Sequence, residues 1–191
     1  MKNKSYSSYH QKIKKMSQLA LFLAIGIILS ILESLVPIPI PVPGVRLGLA
    51  NTVGLILLYY YSPKEYVSIG FLRVLIVGLI RTGLFSVSFF LSLSGWFLSS
   101  LVCVIIYYLK LFSIYGLSIT SAVFHGIGQI IVVMIIYSTY GLIIYLPILM
   151  FTGIISGSLT AFISSLFLMK FDKHITYIER VKYKTSSPCL F

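Results

Sequence analysis

Apolar residues run in long unbroken stretches along this chain, interrupted by short polar or proline-containing breaks. The first stretch, 17–35, predicts a helix and is stopped by Pro37-Ile38-Pro39-Ile40-Pro41-Val42-Pro43-Gly44. Prolines at alternate positions remove backbone donors and favour extended backbone, so a stiff loop is expected there. Further apolar stretches predict helices at about Leu47–Tyr61, Tyr66–Ile80, Phe85–Leu109, Ile114–Tyr137 and Leu142–Met169. The breaks between them are Ser62-Pro63-Lys64-Glu65, Arg81-Thr82-Gly83, Lys110 and Ser138-Thr139-Tyr140-Gly141. Pro147 falls inside the last stretch and predicts a kink. Stretches of about 20 apolar residues are long enough to cross a bilayer. The pattern therefore predicts an all-α integral membrane protein of about six transmembrane helices.

Composition strengthens this reading. The chain has 191 residues, of which 58% are hydrophobic and only 10% charged, against about 25% charged in soluble domains. So few charges cannot cover a water-facing surface, and lipid must be the solvent over most of the length. Three segments follow: a basic tail at 1–16, a membrane domain at 17–169 and a second basic tail at 170–191. Fifteen Lys and Arg against four Asp and Glu give a net charge of +11. In a soluble protein that excess would raise nucleic acid as a partner. Here the bases crowd the tails, which points to topology and anionic lipid instead.

Placing both termini in the cytoplasm puts twelve of the fifteen basic residues on that side and leaves Arg46 and Arg81 on the other. Basic residues favour the cytoplasmic side, so this orientation is expected. The first helix resembles a signal peptide only superficially, because no small-x-small cleavage site follows it and further spans do. Cys103 within a span and Cys189 near the end suggest no disulfide framework.

Ionisable groups at membrane depth are costly and usually face a protein interior or a wet cavity. Glu33, Arg73 and His125 are such groups, with Arg46 and Arg81 at the outer boundary and Asn51 and Gln129 as uncharged but demanding companions. In the expected orientation these seven residues gather in the outer half of the bundle, beneath the proline-rich loop. They are the candidate substrate-binding set. A bland reading competes for each. Glu33 could close a helix end by pairing with Arg46 or Arg81, the boundary arginines could snorkel to head groups, and His125 and Gln129 could be interhelical glue. A mid-span Arg73 is harder to explain away, because the chain has few acids to pair with it. Trp96, beside Ser94 and Gly95, reads as packing. Small residues at four-residue spacing, Ala20/Ala24, Ala122/Gly126 and Gly153/Gly157, allow helices to approach closely.

The block Pro41-Val42-Pro43-Gly44-Val45-Arg46-Leu47-Gly48-Leu49-Ala50-Asn51 resembles the signature of the Gx transporter family, also called heptaprenyl diphosphate synthase component I. Phe71-Leu72-Arg73-Val74-Leu75, Leu91-Ser92-Leu93-Ser94-Gly95-Trp96, Ala122-Val123-Phe124-His125-Gly126-Ile127-Gly128-Gln129, and Tyr145-Leu146-Pro147 leading to Gly153 follow in order, so the likeness spans about 17–169. That family is in turn similar to the S components of energy-coupling factor transporters. The resemblance implies a six-helix S-component-like bundle in a bacterial cell membrane, capturing a small molecule from outside. It also implies docking of the Ala20 and Ala24 step on an energising module, made of a transmembrane coupling protein and ATPases.

The alternative implied by the family name is a non-catalytic membrane subunit partnered by a soluble prenyl synthase. Synthases of the usual type hold diphosphate through magnesium on clustered aspartates, and this chain has one aspartate, Asp172. No phosphate-binding Gly-rich loop is present either. The expectation is therefore a chain without catalytic residues, resident metal or cofactor.

Overall fold

The computed structural model describes residues 2–35, 48–109 and 112–171. The proline-rich segment, Arg46, Leu47, Lys110 and the tail from Asp172, with Cys189, lie outside the described residues. Within them the chain is all-helical: α1 (Lys2–Leu35), α2 (Leu49–Tyr60), α3 (Pro63–Val77), a π-helical turn (Gly78–Thr82), α4 (Val87–Leu109), α5 (Ile114–Tyr137), a 3₁₀ segment (Tyr140–Tyr145) and α6 (Leu146–Phe171). Tyr9–Leu35, Val87–Leu109, Ile114–Tyr137 and Tyr140–Lys170 are each long and apolar enough to cross a membrane. With their apolar side chains exposed along the bundle's outside, the assembly is a helical membrane bundle.

The structure adds detail to the first expected helix and corrects three other expectations. The basic stretch before residue 17 is helical and continuous with the first apolar stretch, because α1 is one helix of 34 residues from Lys2. At 1.5 Å per residue it is about 51 Å long, well beyond a hydrocarbon core of about 30 Å. The second stretch gives a helix of only 12 residues, about 18 Å, which is too short to cross alone. Instead α2 is the most enclosed element, with Leu57 and Leu58 almost wholly buried. The third helix runs further than Ile80, because the π turn carries it through Arg81 and Thr82. Pro147 does not kink a helix interior. It is the second residue of α6, where a missing N–H costs nothing.

Close approach holds the second half of the bundle together. The α5 step Ala122/Gly126 and the α6 step Gly153/Gly157 face each other. A Cβ on Gly157 would lie 2.8 Å from Ile119 Cα, and one on Gly153 would lie 3.3 Å from the Ala122 carbonyl. On the other side of α5, a Cβ on Gly128 would fall 2.7 Å from the Ser94 carbonyl oxygen in α4. Without a hydrophobic drive between helices in lipid, such backbone contact is a main source of association. Ser118 adds a hydrogen bond of 2.7 Å to the Gly157 carbonyl.

At the opposite side of the bundle, α1 is tied to the α2–α3 turn. Lys15 pairs with Glu65, which also accepts from Ser62, and Tyr61 donates to Gln18 at 2.8 Å. Partial burial disfavours the charged Glu65, but the hydrogen bonds from Lys15 and Ser62 outweigh it and hold the carboxyl below its usual range. This end, carrying Lys12, Lys14, Lys64 and Lys170 as exposed residues, is the basic end of the molecule.

Gly128→Val should destabilise the bundle by about 1–3 kcal/mol, the usual cost of overpacking. The same change at Gly83, where an added Cβ meets nothing within 4 Å but φ is +78°, should act by backbone strain alone. Detergent-mediated unfolding of the two variants beside the parent measures both.

Candidate functional site

Arg73 is positioned by α3 and reaches across to the start of α2. Its guanidinium donates to the Ala50 carbonyl and, at 3.3 Å, to Asn51 Oδ1. Carbonyls near a helix start are normally used within the helix, so accepting from a cation here adds a charge-assisted bond between elements. Space for the arginine stem is made by α1: a Cβ on Gly26 would lie 3.3 Å from Arg73 Cδ.

Glu33, near the end of α1, is buried at 6% exposure. Its Oε1 accepts the backbone N–H of Gly48. Gly48 has φ +78°, a left-handed conformation that glycine adopts at no steric cost. Its carbonyl accepts the Asn51 N–H at 2.8 Å and the Thr160 hydroxyl at 3.4 Å. One residue thus joins α1, α2 and α6.

His125 and Gln129 stand one turn apart on α5, with Gln129 Nε2 and His125 Nε2 at 3.3 Å. The imidazole lies against α4, where a Cβ on Gly95 would come within 2.8 Å of the ring. Gln129 is 1% exposed, so its amide is held entirely by protein and by the space it faces.

These groups converge. Glu33, Asn51, Arg73, Arg81, His125 and Gln129 all line one cavity of about 100 Å³. Roughly 10–15 Å³ suffices for one water, so the space accommodates a small molecule. Six of the seven expected residues are therefore neighbours; the seventh, Arg46, lies outside the described residues. Arg81 is exposed and sits at the cavity's edge, carried there by the π turn, an element frequent at functional sites. Among the described residues no group of three His, Cys, Asp or Glu side chains could hold a metal.

A second, smaller cavity of about 30 Å³ lies deeper, sharing Gly48, Asn51, Arg73, Ala122 and Ser156 with the first. Arg73 and Asn51 thus stand between the two. Trp96 lines the deeper one, 8% exposed, with its indole nitrogen pressed against Gly70 and without a hydrogen-bond partner among the described residues; it packs, as its sequence context suggests.

Sequence reasoning missed the hydroxyl lining of the main cavity: Ser30, Ser34, Ser92, Thr152 and Ser156. The signal was present as four-residue spacing in apolar helices, Ser30/Ser34 beside Glu33 and Thr152/Ser156 beside Gly153, which puts each pair on one helix face. Ala20 and Ala24 are elsewhere. Both are exposed on the outside of α1, in a row with Leu21, Ile28 and Leu32.

A family model described as heptaprenyl diphosphate synthase component I matches residues 22–167. The chain belongs to that family. No curated protein and no solved structure matches it. The component I segment contains every residue of both cavities and leaves out the basic start of α1, so Ala24 falls inside it and Ala20 just before it.

Arg73→Ala should leave the Ala50 carbonyl and the Asn51 amide without this donor, costing about 1–3 kcal/mol. Arg73→Lys should recover part of that loss, because an ammonium lacks the guanidinium's fork. The comparison of both variants by chemical unfolding in micelles gives the order.

Proposed function

We propose that this component I family member is a membrane-embedded binding subunit, of the S-component type, that captures a small polar molecule and docks on an energising module. The observation that carries this reading is the convergence of Glu33, Asn51, Arg73, Arg81, His125 and Gln129 on one cavity. Stability alone does not account for so many costly groups around an open space, since apolar packing serves a bundle better. The cavity lies away from the end that carries Lys12, Lys14, Lys64 and Lys170. With that basic end in the cytoplasm, as the charge distribution favours, the cavity belongs to the outer half and both termini are cytoplasmic in a bacterial cell membrane.

Capture follows from the chemistry of the wall. Guanidinium groups offer paired donors to a carboxylate, phosphate or carbonyl, and Asn51, His125 and Gln129 add uncharged donors and acceptors that fix orientation. Energy for release on the other side must come from partners. The exposed Ala20/Ala24 face of α1 is suited to them, because small residues allow a partner helix to approach closely.

The family name favours a second reading, in which the chain is a non-catalytic membrane subunit associated with a soluble prenyl synthase. Four acidic residues in the whole chain, with a single aspartate, fit an accessory role rather than a magnesium-diphosphate centre.

Ala24→Leu should abolish co-purification with an energising module while the protein remains folded and monodisperse. Retained assembly would count heavily against the S-component reading. Native mass spectrometry of gently extracted protein separates the alternatives, since an ATPase-containing assembly supports the first and a soluble prenyl synthase the second.

A further inference from the structure

The cavity wall has two electrostatic sides. Arg73 and Arg81 come from α3 and the π turn, and Glu33 comes from α1. Glu33 and these arginines do not neutralise one another directly, because Glu33 makes no ion pair among the described residues. Its Oε1 is used by Gly48 N–H, and its second oxygen has no hydrogen-bond partner among them. A carboxylate has about four lone-pair sites to satisfy, and the second Glu33 oxygen is not among the fully buried unpartnered atoms, so it is open to the space it faces. Glu33 is 6% exposed and lines the cavity, so whatever occupies the cavity is what can reach that oxygen. The remaining titratable group on the wall is His125 of α5, which is engaged with Gln129.

We infer that Glu33 is a ligand-binding residue and that the ligand is zwitterionic. An ammonium or similar cationic donor of the ligand meets the open carboxylate oxygen, and an anionic end faces the guanidinium side. This rests on the proposed reading of the cavity as a binding site and narrows it. A simple anion would satisfy the arginines but leave Glu33 facing its own sign of charge. A simple cation would do the reverse. A molecule with both ends answers each wall and adds no net charge to a low-dielectric space, where uncompensated charge is expensive. A prenyl diphosphate head group, with more than one negative charge and no donor, is the wrong partner for such a site.

The test uses the 191-residue chain in lipid nanodiscs and three probes that share a four-carbon chain: 4-aminobutyrate, butyrate and butylamine. Binding is read from the concentration dependence of the melting temperature. The zwitterion should bind most tightly to the parent protein. Glu33→Gln keeps a carbonyl oxygen for Gly48 N–H but removes the charge. It should weaken 4-aminobutyrate by at least about tenfold, as expected for loss of a charge-assisted hydrogen bond, and leave butyrate as tight or tighter. Should Glu33→Gln not fold, Glu33→Asp keeps the charge with shorter reach and should bind the zwitterion with intermediate affinity. The ranking of the three probes on the parent needs no variant. Butyrate matching 4-aminobutyrate on the parent, or a zwitterion affinity indifferent to Glu33→Gln, overturns the inference and leaves the binding reading standing. No stabilisation by any of the three takes both down.

Discussion

A guanidinium halfway along an apolar helix cannot be answered by solvent, and in this bundle other parts of the chain must answer it. Arg73 is met by the Ala50 carbonyl and the Asn51 side chain, both in the first turn of α2. That requirement brings the start of α2 into the middle of the molecule. It also demands clearance on α1, which Gly26 provides. Once α2 begins there, twelve residues bring it to the basic end, and its shortness follows from where it has to start. The same placement leaves open space above Arg73, bounded by Glu33, His125 and Gln129. The cavity thus lies where this partly buried cation meets the start of α2.

Much of this was legible in the sequence, for reasons that can be named. Long apolar runs have few structural alternatives in lipid, so α4 and α5 were found nearly to the residue. Costly side chains stand out against an apolar background, and so six dispersed residues group together on sequence alone. The less legible parts depend on interactions at a distance. Nothing local distinguishes a 12-residue buried helix from a somewhat frayed spanning one. The continuation of α1 back to Lys2 was hidden because basic residues read as tail, although lysine is itself a good helix former. The serine and threonine lining was overlooked because a hydroxyl in a membrane helix can satisfy itself on the preceding turn, as Ser30 does on Gly26, and so carries little signal alone.

Family membership and geometry bear on different questions. Membership in the component I family rests on residues 22–167, and both cavities lie wholly inside that segment. The geometry adds that the segment's polar investment is concentrated on one space and not on its lipid-facing surface.

The π turn at Gly78–Thr82 has a meaning beyond its place at the cavity edge. A π turn is an α-helix that has taken in one residue too many. Each residue of an α-helix advances the face by about 100° and each residue of the wider π turn by less, so the same residues wound as regular α-helix would carry Arg81 to a different face. Arg73, which precedes the turn, would stay where it is. The single extra residue therefore works as a phase shifter. It sets the angular relation between two arginines of one helix, and so the charge the cavity presents at its mouth, without altering the packed core beneath.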